Sequence, residues 1–216
     1  MGSPAVPLPA EAPSAASREA PTRIDAALVD ALRRRDPAAF DAVYARFHGR
    51  LWSFLVRLSG RRDVAEDLIQ DTWLLVARHA DRLEEGTDLA AWLFTVARNR
   101  YRSWRRWAVL DLTRLDLLAH EPLPLAAPPE GAAVARAEVA ALEDALARIA
   151  PAHREVLLLA AVEGLEAAQV AEVLGIREDA ARKRLSRARA ELAACLEKRN
   201  DPARRAALGI RRGGER

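Results

Sequence analysis

Two arginine-rich stretches are the parts of this 216-residue chain best equipped for chemistry, and that chemistry is the gripping of phosphates and bases. The first carries Arg98, Arg100, Arg102, Arg105 and Arg106 without an acid, interleaved with Asn99, Tyr101, Trp104 and Trp107. Guanidinium groups alternating with aromatic faces suit a partly single-stranded nucleic acid, whose bases stack while its backbone pairs with cations. The second, residues 182–189, holds five basic side chains and no acid. Within it Arg182, Lys183, Ser186 and Arg187 fall at i, i+1, i+4 and i+5, one face of a helix that a major groove can read. Taken singly, each stretch also fits a merely solvated basic helix. Catalytic sets are lacking. There is no glycine-rich phosphate loop and no HExxH, and the histidines at 48, 79, 120 and 153 have no metal spacing. Asp67 and Asp71 lie one helical turn apart with no further ligand set beside them. The chain therefore reads as a binding protein without enzymatic activity, metal or cofactor.

These faces need helices to present them, and the composition favours helices. Half the residues are apolar but only 5% are aromatic, and alanine and leucine dominate. The formal net charge is only +3 although 30% of residues are charged, so charge is sorted along the chain. Only Lys183 and Lys198 among the 34 basic residues are lysine, a bias that a GC-rich genome explains better than function does, so the position of the arginines carries the argument and their number does not. The single Cys195 excludes an intrachain disulfide and a CxxC pair, and fits a reducing cytoplasm. No apolar run approaches the roughly 18 residues of a membrane span, so no membrane insertion is expected.

Helical periodicity begins near Ile24, with Leu28 and Leu32 on the same face. Asp36-Pro37 opens a second helix, and Asp63, with Glu66 three residues on, is expected to cap a third running to about Ala80. A loop from Asp81 to Asp88 precedes a fourth helix, Leu89 to about Trp107. Residues 118–131, with four prolines and no period, read as linker. Helical pattern returns near Val134 and breaks at Ala150-Pro151, Gly164 and Gly175. The expected division is a proline-rich disordered leader over 1–23, a helical domain over 24–108, a linker over 109–136, a second helical domain over 137–198 and a basic tail over 199–216. The fold class is all-α, two small helical domains joined by a flexible linker.

The segment Glu166 to Leu192 has the logic of a helix-turn-helix. Ala171 is small where a second helix must cross closely, and Gly175 permits a left-handed turn. Val170, Leu174, Ile176, Ala181 and Leu185 can point inward, while Glu178 and Asp179 sit in the first turn of the second helix, where the macrodipole favours acids. The third helix has an apolar face of Ala65, Leu68, Ile69, Thr72, Trp73 and Val76. Its other face carries Glu66, Asp67, Gln70 and Asp71 with Leu74 among them, a strip able to dock a basic helical partner.

AEDLIQDTWLLVARH, then AWLFTVARNRYRSWRR, then a linker, then LARIAPAHREVLLLAAVEGLEAAQVAEVLGIREDAARKRLSRAR resemble a bacterial RNA polymerase sigma factor of the extracytoplasmic-function group. The match covers about residues 36–197, with several motifs in order. The resemblance implies a region 2-like bundle and a region 4-like helix-turn-helix domain. It implies that Asp67, Gln70, Asp71 and Leu74 dock on the clamp helices of the largest polymerase subunit. It implies a −10 reader made of the 81–88 loop, with Leu83 and Gly86, and of Arg98, Asn99, Arg102, Arg105 and Arg106, and a −35 reader made of Arg182, Lys183, Ser186 and Arg187. The implied partners are core RNA polymerase, through those clamp helices and the flap, promoter DNA and an anti-sigma factor. Two departures stand out. The recognition helix begins Asp179-Ala180-Ala181 where relatives have a Gly-Thr-Val-like run, which removes a hydroxyl able to contact phosphate. Leu83, beside Glu84 and Glu85, stands where the specificity loop often has an aromatic. The rival reading is a dimeric helix-turn-helix regulator that holds duplex operator DNA without polymerase; the acidic strip argues against it.

Overall fold

The computed structural model describes residues 23–110 and 133–200, so the expected leader, the basic tail from residue 201 and the 111–132 part of the linker lie outside the described residues. Eight α-helices and no strand make up the described residues: α1 (Arg23–Arg33), α2 (Pro37–Ser59), α3 (Arg62–His79), α4 (Leu89–Leu110), α5 (Ala133–Arg148), α6 (Pro151–Leu157), α7 (Ala167–Leu174) and α8 (Glu178–Asn200). A 3-10 turn follows α3, and a π-helical turn, Leu158–Val162, follows α6. The helices α4 and α5 take in residues 109–110 and 133–136, which the sequence pattern assigned to the linker.

Local chemistry explains the helix ends. The Asp36 carboxylate accepts from the Ala38 amide at 2.9 Å, Pro37 supplies a preset φ, and α2 stops at Gly60, whose φ of 74° an L side chain resists. The start of α3 differs from the expected cap. The N-cap is Arg61, and Asp63 sits inside the first turn, paired with the Arg61 guanidinium at 2.6 Å. The Arg61 guanidinium holds the Asp63 carboxyl below its usual range, and the carboxylate also accepts from the Val64 amide at 2.8 Å. A true capping box opens α7, where Glu166 and Gln169 satisfy each other's backbone amides, and Gly175, at φ 64°, closes it.

In the N-terminal bundle α2, α3 and α4 pack on one another and α1 lies against α2. Phe47, Phe54 and Phe94 are wholly buried there, and Phe54 meets Phe94 edge to face at 5.3 Å between centroids. The predicted inner face of α3, from Ala65 to Val76, is buried at every named position. In the C-terminal bundle α8 packs against α5, α6 and α7. Arg154 is buried beneath it, its guanidinium donating to the Leu146 and Ala147 carbonyls at 2.7 and 2.6 Å, which ends α5. The two bundles lie against each other, α4 across α7 and α2 beside α6, and one apolar cluster runs through both.

Candidate nucleic-acid interface

The outer face of α8 is presented by its inner one. Ala181 and Ala188 are buried, Ile176 and Leu185 are half-buried against the core, and the αL turn at Gly175 sets α7 across them. The predicted groove-reading residues Arg182, Lys183, Ser186 and Arg187 are consequently all exposed on one side. Arg182 is not idle: it pairs with Glu178 one turn back, which raises its pKa. A DNA phosphate would have to displace that carboxylate, whereas Lys183, Ser186 and Arg187 face solvent.

The basic end of α4 is more divided than its sequence suggests. Arg102, Arg105 and Arg106 are exposed, Asn99 is half-buried, and Trp107 is 51% exposed at the helix's end. Tyr101 is buried, Trp104 leans on it at 5.9 Å, and burial raises the Tyr101 phenol's pKa. Arg98 departs from the expectation of an outward-facing cation. It is 7% exposed, and its guanidinium donates to the Glu155 carboxylate at 3.0 Å and to the Val173 carbonyl at 3.2 Å. The reason is helical register: Arg98 falls on the side of α4 that faces α6 and α7. Burial lowers its pKa, and the charge of Glu155 counters the shift.

The 81–88 loop also divides. Leu83 turns inward and is buried, so it anchors the loop to the core where a loop-tip contact was expected. Gly86, at φ 81°, makes the turn, and Thr87 closes it by donating its hydroxyl to the Glu84 carbonyl at 2.8 Å and accepting from the Glu84 amide at 3.2 Å. Glu84 and Glu85 are exposed. On α3 most of the acidic strip is open to solvent: Asp67 and Gln70 are exposed, and Leu74, on the same face, is 55% exposed. Asp71 is half-buried and paired with Arg100 of α4.

Sequence reasoning missed the residues that join the bundles. The N-terminal bundle supplies Arg50, Arg57 and Asp88, and the C-terminal one Glu163, Glu143, Glu155 and Gln169. Arg50 donates to the Glu163 carboxylate at 3.0 Å and carbonyl at 2.9 Å, and Arg57 to Glu143 at 2.8 Å. Asp88 caps α4 through the Ala91 amide at 2.9 Å and accepts from Gln169 at 2.6 Å. One signal was available: Arg154-Glu155 interrupts an otherwise apolar run, and charges there must find buried partners. Among the described residues no cluster of His, Cys, Asp or Glu could hold a metal ion, and no helix is long and apolar enough to cross a membrane.

Residues 43–108 match the description Sigma-70 region 2, and residues 140–192 match Sigma-70, region 4. The RNA polymerase sigma factor CarQ of Myxococcus xanthus is 35% identical over 160 residues, covering 72% of this chain and 88% of that one. The ECF RNA polymerase sigma factor EcfG of Rhodopseudomonas palustris is 32% identical over 146 residues, covering 68% and 78%. Among solved structures, the sigma factor RpoE in complex with the anti-sigma factor NepR from Bartonella quintana matches with a TM-score of 0.64 at 28% identity, covering 73% of this chain and 96% of that one. CnrH in complex with the cytosolic domain of CnrY matches with a TM-score of 0.61 at 26% identity, covering 81% and 97%.

Proposed function

From the premise that this chain belongs to the extracytoplasmic-function sigma factors of the sigma-70 family, we propose a division of labour between its surfaces. The protein is a promoter-directing subunit of RNA polymerase, and it acts in the cytoplasm. The exposed end of α4, with Asn99, Arg102, Arg105, Arg106 and Trp107, engages the −10 element as the duplex opens. The exposed face of α8, with Lys183, Ser186, Arg187 and, once released from Glu178, Arg182, reads the −35 element in the major groove. The strip of Asp67, Gln70 and Leu74, with the partly engaged Asp71, docks on core polymerase. An anti-sigma factor is the regulatory partner, in keeping with the NepR complex of a similar structure.

The observation that carries this reading is the exposure of Leu74 on the same face as Asp67 and Gln70, one turn beyond Gln70, on a helix whose opposite face is fully buried. A leucine left open to water among acids is placed for a partner that is apolar at its centre and basic at its rim. A free-standing regulator has no need of such a strip. The chemistry of transcription belongs to the polymerase. This subunit supplies affinity for promoter over random DNA, and linking two weak DNA-binding surfaces on one host raises their effective concentration.

Titration of the full chain against core polymerase tests the reading. Binding that Asp67→Lys with Leu74→Asp abolishes, while unfolding stays unchanged, supports it. Tight duplex binding by the free chain, with no affinity for core polymerase, overturns it in favour of the operator-binding regulator.

A further inference from the structure

Helices α1 and α7 end in the same turn but not on the same residue. At the end of α7 the Gly175 amide donates to the Glu172 carbonyl at 3.1 Å and the Ile176 amide to the Ala171 carbonyl at 3.0 Å. At the end of α1 the Arg35 amide donates to the Leu32 carbonyl at 2.9 Å and the Asp36 amide to the Ala31 carbonyl at 3.1 Å. Both are Schellman turns, whose pivotal residue takes the left-handed conformation. Gly175 takes it at φ 64°, and Gly60 takes it at φ 74° where α2 ends. Arg35 takes it at φ 58°, and is the one non-glycine with a positive φ among the described residues. A Cβ in that region crowds the next carbonyl oxygen, so α1 keeps a strain that glycine would relieve.

What arginine adds there is reach. The Arg35 guanidinium donates to the Asp81 carboxylate at 2.7 Å, across 46 positions of sequence. It holds that carboxyl below its usual range. Its neighbour Arg34 is engaged locally, with Asp30 one turn back. Asp81 lies in the 3-10 turn Ala80–Arg82 that opens the 81–88 loop, and α1 packs on that turn. The loop has two further anchors. Leu83 is buried beneath it, and Asp88 at its far end caps α4 through the Ala91 amide. Glu84 and Glu85 stand exposed between them, with Gly86 and Thr87 half-buried.

We propose that Arg35 is a positioning residue for promoter recognition: through Asp81 it fixes the near end of the 81–88 loop, and with it the loop's choice among the bases of the −10 element. This rests on the sigma-factor reading above, in which the loop belongs to the −10 reader. Arg35 precedes residue 43, where the match to Sigma-70 region 2 begins, so the role falls to a helix outside the matched residues. Backbone strain persists where the surroundings over-determine it, and it gathers at functional positions. Stability does not account for it here. Both side chains of the pair are exposed, and an exposed ion pair adds little to folding. The pair supplies geometry instead. A loop tied at Asp81, Leu83 and Asp88 presents its tip in one arrangement, whereas a loop loose at its near end must be ordered anew at each encounter with DNA.

Arg35→Gly separates ending the helix from positioning the loop, because it relieves the strain and removes the tie together. The test uses the full chain with core RNA polymerase, in run-off initiation from promoters varied base by base through the −10 element, and from −35 variants as the internal control. In Arg35→Gly the Tm should hold level or rise by up to about 4 °C. Discrimination between the preferred −10 sequence and its single-base variants should fall about 5-fold, with −35 discrimination unchanged. Asp81→Asn should lose −10 discrimination to the same degree. Arg35→Lys, which keeps the charge and the reach, should retain most of it. Unchanged −10 discrimination in Arg35→Gly and Asp81→Asn, beside a selective wild type, overturns the proposal and leaves Arg35 as a helix end alone. A fall in Tm, or an equal loss at −10 and −35, marks a general structural defect and overturns it too. A wild-type chain that directs no initiation overturns the sigma-factor reading together with the proposal.

Discussion

Asp88 and Gln169, 81 residues apart in the chain, are joined by a 2.6 Å hydrogen bond that ties the first turn of α4 to the first turn of α7. Each is also a helix cap in its own bundle: Asp88 accepts from the Ala91 amide, and Gln169 from the Glu166 amide at 2.8 Å. Two local devices, either of which a helix needs by itself, are thereby made into one long-range contact. Asp88→Ala removes both the cap and the tie, and is expected to cost about 1–2 kcal/mol, or a few degrees in Tm. Asp88→Asn keeps an acceptor for Ala91 and should cost less than half as much. Equal losses in thermal unfolding would contradict the double role.

On α8, Lys183 and Arg187 carry the groove-facing charge that has no partner along the helix in the way Arg182 has Glu178. Arg187→Ala is expected to weaken −35-dependent initiation by about 1–3 kcal/mol if it reads a base edge. Lys183→Ala should weaken it more evenly across sequences and lower the salt dependence of binding by about one charge. Initiation assays over a set of −35 variants at two salt concentrations separate the two. Neither substitution should change stability, since both side chains are exposed.

Leu74 and Trp73 are neighbours in sequence with opposite fates. Trp73 is 7% exposed, packs against Phe40 and Tyr44, and donates to His48 at 3.1 Å. Trp73→Ala should destabilise the N-terminal bundle by about 3–5 kcal/mol. Leu74→Ala should leave unfolding unchanged within about 0.5 kcal/mol and weaken core-polymerase binding instead. Denaturant unfolding and core titration of both variants check this, and a stability loss at Leu74 would mean that it packs inward.

Glu163 gives the contact between the bundles a pH dependence. Burial raises its pKa above the usual 4.5 or so, with Arg50 pulling the other way, so the folded chain binds this proton more readily than the unfolded one. The contribution of this group is fully present below about pH 4.5 and is lost as pH rises through the higher folded value. Relative to wild type, Glu163→Gln should thus be more favourable at pH 7 than at pH 4. Urea unfolding at both values is the check; a gain that is larger at pH 4 would reverse the sign and refute the burial argument.

Most of the helices were legible because their signals are local. The caps at Asp36 and Gly60, the apolar face from Ala65 to Val76 and the turn at Gly175 depend on residues within a few positions of each other. The exposed face of α8 was legible for the same reason, since helical spacing alone puts Lys183, Ser186 and Arg187 together. What stayed hidden was long-range. Nothing near Arg98 in sequence announces that Glu155 will cover it, and nothing near Leu83 distinguishes a loop tip from a loop anchor. Asp63 misled because an acid at a helix start fits the N-cap and the first turn alike, and the Arg61 guanidinium decided between them. The bundle contact itself rests on polar partners drawn from opposite ends of the chain, which periodicity cannot pair.

The central claim is that one subunit grips two promoter elements from a polymerase that it docks on. Run-off transcription with core polymerase, this chain and a pool of promoter fragments tests it most directly. Specific start sites should appear only when the chain is added, and should be lost with Asp67→Lys plus Leu74→Asp on one side and with Lys183→Ala plus Arg187→Ala on the other. Start sites that persist in both double variants, or no chain-dependent start sites from the wild type, would contradict it.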